Sequence, residues 1–285
     1  MGYLLVLLKS LSSLCEGVLI RKYSEKHKSG SMFFTGVISF FAMLFFLITD
    51  ADGFHTDAAI LPWALAFGGI YCTAYLLTFV ALSCGPFTLS MLVISYSLVF
   101  PIAYGIIGLG ESVSAFTCIG FVLLALSLFL VRSNKDNSGQ KITAKWILAI
   151  SLTAVGNGML SIIQKVQQLK FDNRFNHEFM VIALALSAAL LLCCGIIRDR
   201  ADLKEILRFG VPYAAGSGCA NGLNNFLGLV LNTLLPLSII SPLNAGVKIV
   251  LSFFCSRLLF REHYIPRQII GVAVGAAALV FLNLQ

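Results

Sequence analysis

Charged residues are scarce in this sequence. Only 12% of the 285 residues are Asp, Glu, Lys or Arg, whereas 58% are hydrophobic. A soluble globule could not keep this many apolar side chains away from water. Instead, hydrophobic stretches of roughly 20 residues, the length that crosses a bilayer as a helix, follow one another along the chain. We therefore expect an all-α integral membrane protein.

Motifs for catalytic or metal chemistry are also scarce. The eight cysteines include no Cys-x-x-Cys pair with metal-binding spacing. Ser217, between two glycines, faintly resembles the nucleophile of a membrane serine protease. The sequence offers it no evident general base, because all four histidines fall in predicted loops or at span edges. An intramembrane enzyme is kept as an alternative, and we predict no catalytic residue, no metal and no cofactor.

Ten stretches are long and apolar enough to be predicted as membrane spans. The first has neither a basic leader nor a clear cleavage motif, so we interpret it as a retained helix. The predicted spans lie near Tyr3–Ile20, Ser31–Thr49, Ala59–Ser83, Pro86–Gly108, Val113–Val131, Lys145–Gln164, Phe179–Ile197, Val211–Leu231, Pro236–Leu259 and Pro266–Leu282.

The net charge of +7 is explained by topology and implies no nucleic-acid partner. Connections that follow odd-numbered spans carry fifteen lysines and arginines, whereas those that follow even-numbered spans carry only Lys165, Lys170 and Arg174. Cytoplasmic connections of membrane proteins are enriched in such cations. The bias therefore predicts that the odd connections are cytoplasmic and that both termini lie outside.

The second half of the sequence repeats the first at an offset of about 150 residues. Each copy holds five predicted spans, and an odd number of spans places the two copies upside down relative to each other. Inverted repeats of this kind are typical of secondary transporters, with the substrate site at the interface between the copies. We predict a first five-helix repeat over residues 1–132, a polar linker over 133–144 and a second five-helix repeat over 145–285. Matched pairs include Pro62 with Pro212, Gly68 with Gly218, Pro86 with Pro236, Ser90 with Ser241, Glu111 with Glu262 and Gly120 with Gly271.

Four predicted spans carry a stripe of polar residues at helical spacing. Polar groups in hydrocarbon are costly, so such a stripe indicates a polar lumen or partners on other helices. The stripes are Lys9, Ser12, Ser13 and Glu16 on the first span; Tyr71, Tyr75 and Thr78 on the third; Asn221, Asn224, Asn225 and Asn232 on the eighth; and Ser241, Asn244, Lys248 and Ser252 on the ninth.

The repeat aligns several of these polar residues with different residues of the other copy. We expect the differences to determine substrate selectivity, because each pair offers two kinds of chemistry at one matched place. The aligned pairs are Glu16 with Asn157, Tyr71 with Asn221, Tyr75 with Asn225 and Ser97 with Lys248. The predicted substrate-binding residues are Glu16, Tyr71, Tyr75, Ser97, Asn157, Asn221, Asn225, Asn244 and Lys248.

The sequence leaves two interpretations open for Glu16, for Lys248 and for the asparagines. Glu16 is either a proton-coupling or cation site, or the partner of Lys9 or Lys248 in an ion pair. Lys248 is either the counter-charge of a substrate carboxylate or phosphate, or a residue that pairs with Glu16 or extends to the membrane surface. The asparagines either line a cavity or only join helices through hydrogen bonds.

One motif occurs in both copies. A proline-kinked span is followed by a turn that ends in glutamate and by glycine nine residues later, at Glu111 with Gly120 and at Glu262 with Gly271. This motif and the five-plus-five layout resemble the EamA-type unit of the drug/metabolite transporter superfamily, over essentially the whole chain. The resemblance implies a central cavity lined by the first, third, fourth, sixth, eighth and ninth spans. We interpret each turn glutamate as a cap of the helix that follows it.

These observations predict a multi-pass protein of the cell membrane, inner or plasma, that exports a small polar, amino-acid-like metabolite by alternating access. Lys248 would attract a carboxylate, and Tyr71, Tyr75, Tyr96 and Tyr104 would supply aromatic walls. The expected partners are the lipid bilayer and a small-molecule substrate, with proton coupling through Glu16 and homodimer formation left open. The alternative transporter is a proton-coupled efflux pump for cationic drugs, in which Glu16 binds proton and cation in turn.

Overall fold

The computed structural model of the chain describes most of the sequence. The linker predicted over 133–144 lies almost entirely outside the described residues, as does Glu262. The described residues are 2–26, 31–50, 53–55, 57–111, 114–131, 143–259 and 266–283.

The described residues form α-helices with short turns between them and no β-strand, as composition predicts. A 3-10 turn, Tyr96–Leu98, joins α4 to α5, and a π-helical turn, Ile206–Gly210, joins α9 to α10. The helices are α1 (Gly2–Lys26), α2 (Ser31–Thr49), α3 (Leu61–Cys84), α4 (Phe87–Ser95), α5 (Val99–Leu109), α6 (Ala115–Val131), α7 (Ala144–Lys170), α8 (Asn176–Arg198), α9 (Leu203–Glu205), α10 (Val211–Leu234), α11 (Leu237–Leu259) and α12 (Pro266–Asn283).

Within the described residues, six helical segments are long and apolar enough to cross a membrane, so the protein is a multi-pass, all-α membrane protein. They are Gly2–Lys26, Ser31–Thr49, Ala58–Cys84, Ala144–Lys170, Asn176–Arg198 and Leu237–Leu259. Helix α10 is also long enough, but its asparagines and glycines lower its hydropathy. The count of ten spans stays a prediction.

Helix packing follows a reciprocal pattern. Helix α1 packs against α10 and α3 packs against α7, while α2 packs against α8 and α6 against α12. The repeat aligns α1 with α7, α2 with α8, α3 with α10 and α6 with α12. Exchanging the aligned helices turns the α1–α10 pair into the α7–α3 pair. The α2–α8 and α6–α12 pairs stay the same under this exchange. These four helix pairs therefore map onto one another when the two halves of the chain are exchanged.

Two glycines that the repeat aligns with each other lie at the crossings of α3 with α8 and of α10 with α2. A Cβ atom on Gly68 of α3 would lie 2.6 Å from the Ala183 carbonyl oxygen of α8. A Cβ atom on Gly218 of α10 would lie 2.6 Å from the Ile38 carbonyl oxygen of α2. Both distances are shorter than a carbon–oxygen contact allows, so only glycine fits, and helix packing explains both positions.

Two cations hold the ends of the matched helices α3 and α10. Arg21 Nη1 donates to the Leu82 and Gly85 carbonyl oxygens at 2.6 and 2.7 Å. Lys165 Nζ donates to the Asn232 carbonyl oxygen at 2.6 Å. The last carbonyls of a helix lack intrahelical donors, and basic side chains commonly supply them. Leu82 and Asn232 are aligned by the repeat, so each copy closes its helix end in the same way.

Glu111 caps a helix of the other half of the chain. Gly110 closes α5 in the left-handed conformation, with φ 65°, and Glu111 follows it. The carboxylate accepts the Leu237 amide at 3.0 Å and the Ser238 amide at 2.9 Å, which are the first two amides of α11. The prediction of a capping role is confirmed, but the choice of the next helix was wrong. Sequence order could not reveal that α11 begins beside this turn.

Glu111→Ala removes the acceptor of both amides. We expect the free energy of unfolding to fall by about 1–2 kcal/mol, the usual loss for a removed helix cap, measured by reversible unfolding in mixed detergent micelles. Glu25→Ala is the control, because the Glu25 side chain is 46% exposed in an i,i+4 ion pair with Arg21. Exposed helix pairs of that kind contribute only about 0.3–0.5 kcal/mol. Equal losses in the two variants would contradict the cap.

Candidate functional site

One cavity lies between six helical segments, α1, α3, α4 with its 3-10 turn, α7, α10 and α11, and has a volume of about 170 Å³. These segments correspond to the first, third, fourth, sixth, eighth and ninth predicted spans, on which the family resemblance places a central cavity. All nine residues predicted to bind substrate line it: Glu16, Tyr71, Tyr75, Ser97, Asn157, Asn221, Asn225, Asn244 and Lys248.

The Glu16 carboxylate is held by neutral donors from two other helices. Glu16 is only 6% exposed. The Tyr75 hydroxyl of α3 donates to Glu16 Oε1, and Asn221 Nδ2 of α10 donates to the same oxygen at 3.3 Å. Asn221 Nδ2 also donates to the Tyr75 hydroxyl. A single acidic group thus connects α1 to α3 and α10.

Tyr71 and Asn221, which the repeat aligns with each other, are in direct contact. The Tyr71 hydroxyl donates to Asn221 Oδ1 at 2.7 Å, and each residue is 1% exposed. The Tyr71 ring stacks on the ring of Tyr75, with 4.2 Å between the centroids. The aromatic pair therefore forms a rigid wall beside Glu16, connected to α10 through one asparagine.

The asparagines both join helices and line the cavity. Asn225 Nδ2 donates to Asn221 Oδ1 at 3.0 Å, and Gln164 Nε2 of α7 donates to Asn225 Oδ1 at 3.4 Å. The two interpretations of this stripe are thus combined in one structure. Gln164 was missed from the sequence, although its spacing from Asn157 and Ser161 forms a further polar stripe that would have predicted it.

Lys9 and Lys248 both line the cavity, but neither forms an ion pair with Glu16. In the described part of the chain, no carboxylate oxygen lies within 4.0 Å of either ammonium nitrogen. Lys9 Nζ instead donates to the Asn224 carbonyl oxygen at 3.0 Å. The ion-pair alternative is therefore wrong in this conformation. Lys9 belongs to the predicted polar stripe of the first span, and the structure places it on the cavity although it was not among the predicted substrate-binding residues.

The segment made of α4, the 3-10 turn and α5 places one face on the cavity. Met91, Ile94 and Ser97 line the cavity at intervals of three residues, so this face continues into the turn. Tyr96 lies on another face and lines an apolar groove with residues of α5 and α6. Tyr104 also lies outside the cavity lining. The prediction of Tyr96 and Tyr104 as cavity walls was wrong, because neither tyrosine lies on the face that meets the cavity.

Ser217, on which the enzyme alternative rests, does not line the cavity. It is fully buried, and its Oγ has no hydrogen-bond partner among the described residues. The two described histidines, His55 and His177, line a different pocket that does not include Ser217. The structure thus offers nothing that favours serine nucleophile chemistry in the residues it describes.

Comparison with known proteins identifies a fold but no family. No family model and no curated protein matches the sequence. A solved structure described only as "Crystal structure of protein" has a TM-score of 0.72 to this chain at 14% sequence identity. The match covers 99% of this chain and 96% of that one. At such low identity the likeness shows a shared fold and carries no functional assignment.

A double-mutant cycle tests whether Tyr75 of α3 and Asn221 of α10 belong to one hydrogen-bond network at Glu16. Tyr75→Phe and Asn221→Ala each remove a donor from one carboxylate, so their effects on the free energy of unfolding should be non-additive by about 1 kcal/mol or more. Ser127→Ala is the control partner for Tyr75→Phe, because Ser127 donates to the Gly271 carbonyl oxygen in the α6–α12 pair. That pair should be additive within about 0.5 kcal/mol. Additivity of Tyr75→Phe with Asn221→Ala would refute the shared network.

Proposed function

We propose that the protein is a secondary transporter that moves a small polar, amino-acid-like metabolite across the cytoplasmic membrane by alternating access. The observation that carries the proposal is the concentration of charged and amide side chains, from both halves of the chain, around one cavity. Ionisable groups within membrane spans are costly and usually mark a substrate or ion pathway. The EamA-type resemblance, the ten inverted spans and export as the direction belong to the same proposal.

The size and lining of the cavity support a small polar substrate. Its volume of about 170 Å³ is below the roughly 300–1,000 Å³ of typical sites for drug-sized ligands. Lys248 offers an ammonium to a carboxylate, and Asn225 and Asn244 offer amides to amino or hydroxyl groups. Tyr71 and Tyr75 supply a flat wall. Each group of an amino-acid-like molecule thus has a chemical counterpart.

The location of Glu16 supports a role in coupling. An ionised carboxylate only accepts hydrogen bonds, whereas a protonated one also donates. Protonation would therefore change its contacts with Tyr75 and Asn221, which lie on two other helices. Opening and closing of a cavity between two bundles requires such helices to move relative to α1. In this proposal, proton binding at Glu16 biases which side of the cavity is open.

Transport into proteoliposomes tests the proposal. We expect Lys248→Ala and Asn225→Ala each to lower the initial rate of amino-acid uptake about tenfold, because each removes a hydrogen-bonding group worth roughly 1–3 kcal/mol. Lys170→Ala is the control, since Lys170 is exposed and lies over the Trp63 ring outside the cavity. Wild-type rates in both cavity variants would show that the site is wrongly assigned.

The second candidate, proton-coupled efflux of cationic drugs, rests on the stacked pair Tyr71 and Tyr75 beside Glu16, which could contact an organic cation. Two lysines on the same cavity oppose it, because they repel a cationic ligand. The measurement is growth of expressing cells in cationic drugs. If the candidate is right, wild-type protein confers resistance that Glu16→Gln abolishes. Resistance that survives Glu16→Gln, or no resistance at all, excludes it.

A further inference from the structure

The charges around the cavity do not cancel. Its ionisable lining residues are Lys9, Glu16 and Lys248, apart from the tyrosines, so their formal charges sum to +1. The three interact electrostatically with one another. In a membrane, where little bulk water screens the interaction, an excess cation favours an occupant of opposite charge.

The hydrogen bonds show which charge lacks a partner. Neutral donors, Tyr75 and Asn221, satisfy the Glu16 carboxylate. Lys9 uses one of its three N–H donors on the Asn224 carbonyl oxygen. Among the described residues, Lys248 Nζ has no hydrogen-bond or ion-pair partner. The unused charged donors at the cavity are therefore those of the two lysines.

Asn244 adds a neutral donor at the same place. Its Oδ1 accepts a hydrogen bond from Ser10 Oγ at 2.9 Å, so the side-chain NH₂ group is left to face the cavity. Asn244 and Lys248 are one helical turn apart on α11 and share a face. Ser10 directly follows Lys9 on α1. The donors thus gather where α1 meets α11.

Gly228 makes room for the Lys9 ammonium. A Cβ atom at this position of α10 would lie 2.8 Å from Lys9 Nζ. The Lys9 side chain therefore passes over Gly228, which has no side chain, and reaches the Asn224 carbonyl oxygen of α10. The contacts with Gly228 and Asn224 thus place the Lys9 ammonium against α10 at the cavity.

We infer that Lys9, Lys248 and Asn244 form an oxyanion subsite, and that the cavity selects an amino acid with one more acidic than basic group. This inference rests on the proposed function, since it names the substrate class of the same cavity. The α-carboxylate or side-chain carboxylate binds the subsite, while the substrate ammonium faces Glu16 and the amides. A net charge of −1 on the substrate balances the +1 of the cavity.

Calorimetric binding to the purified full-length protein in detergent tests the inference without requiring transport. The probes are L-glutamate and L-glutamine, which have nearly the same shape and differ by one charge. We expect glutamate to bind about tenfold more tightly or better, the effect of one charge-assisted hydrogen bond. Inorganic phosphate, which meets the lysines but lacks the amino-acid groups, should bind more weakly than glutamate.

Substitutions of the cavity residues show which side chains determine the affinity for glutamate. Lys9→Gln and Lys248→Gln should each weaken glutamate binding about tenfold. Glu16→Gln removes the carboxylate that faces the substrate ammonium, so it should weaken glutamate and glutamine binding alike and leave the ratio of their affinities unchanged. Lys9→Arg and Lys248→Arg keep the charge and should retain most of the affinity, which separates loss of charge from loss of folding. Lys170→Gln, outside the cavity, is the matched control.

Three results would overturn the inference. They are equal binding of glutamate and glutamine, phosphate binding as tight as glutamate binding, and wild-type glutamate affinity in both Lys9→Gln and Lys248→Gln. Absence of binding by every probe would overturn it as well. Tight, lysine-dependent glutamate binding without uptake into proteoliposomes would instead overturn the proposed transport and leave the subsite standing.

Discussion

A carboxylate within a membrane bundle must be given donors or an opposing charge, and the arrangement around Glu16 depends on this requirement. The donors that it receives, Tyr75 and Asn221, are on α3 and α10, so a polar group that would destabilise a lone helix holds three helices together. Asn221 Oδ1 accepts in turn from the Tyr71 hydroxyl and from Asn225 Nδ2. The polar cavity and the packing of the central helices are therefore one structure, and a change to either alters the other.

The two halves of the chain agree where backbone meets backbone and differ where side chains meet the cavity. Gly68 and Gly218 allow equivalent helix crossings, and the Leu82 and Asn232 carbonyl oxygens each receive a cation from the first helix of their own half. These matched contacts explain how two divergent sequences can maintain one packing scheme. At the cavity the two halves differ, because one contributes Tyr71 and Tyr75 where the other contributes Asn221 and Asn225.

The sequence predicted much of the site because helical periodicity places polar residues on one face, and polar faces inside a bundle must meet. This reasoning brought Glu16, Asn221 and Lys248 to one cavity without any structure. It failed where a residue was chosen for its type and not for its helix face: Tyr96 is next to Ser97 in the sequence but lies on another face, and it lines a groove outside the cavity. It also could not tell which helix lies beside a turn, so Glu111 was assigned to the wrong one. Opposite charges on neighbouring stripes suggested an ion pair, but their rotamers and neutral partners depend on packing.

The hydrogen bond between Tyr71 and Asn221 joins two positions that the sequence repeat aligns with each other. In an exactly symmetric dimer, a residue on the twofold axis meets its own copy, so both sides of the contact are the same residue. Two tyrosines or two asparagines can pair there, but a tyrosine cannot face an asparagine. In a single chain the two positions are encoded separately and mutate independently. A tyrosine can then donate to an asparagine, and the contact acquires a direction that exact symmetry forbids.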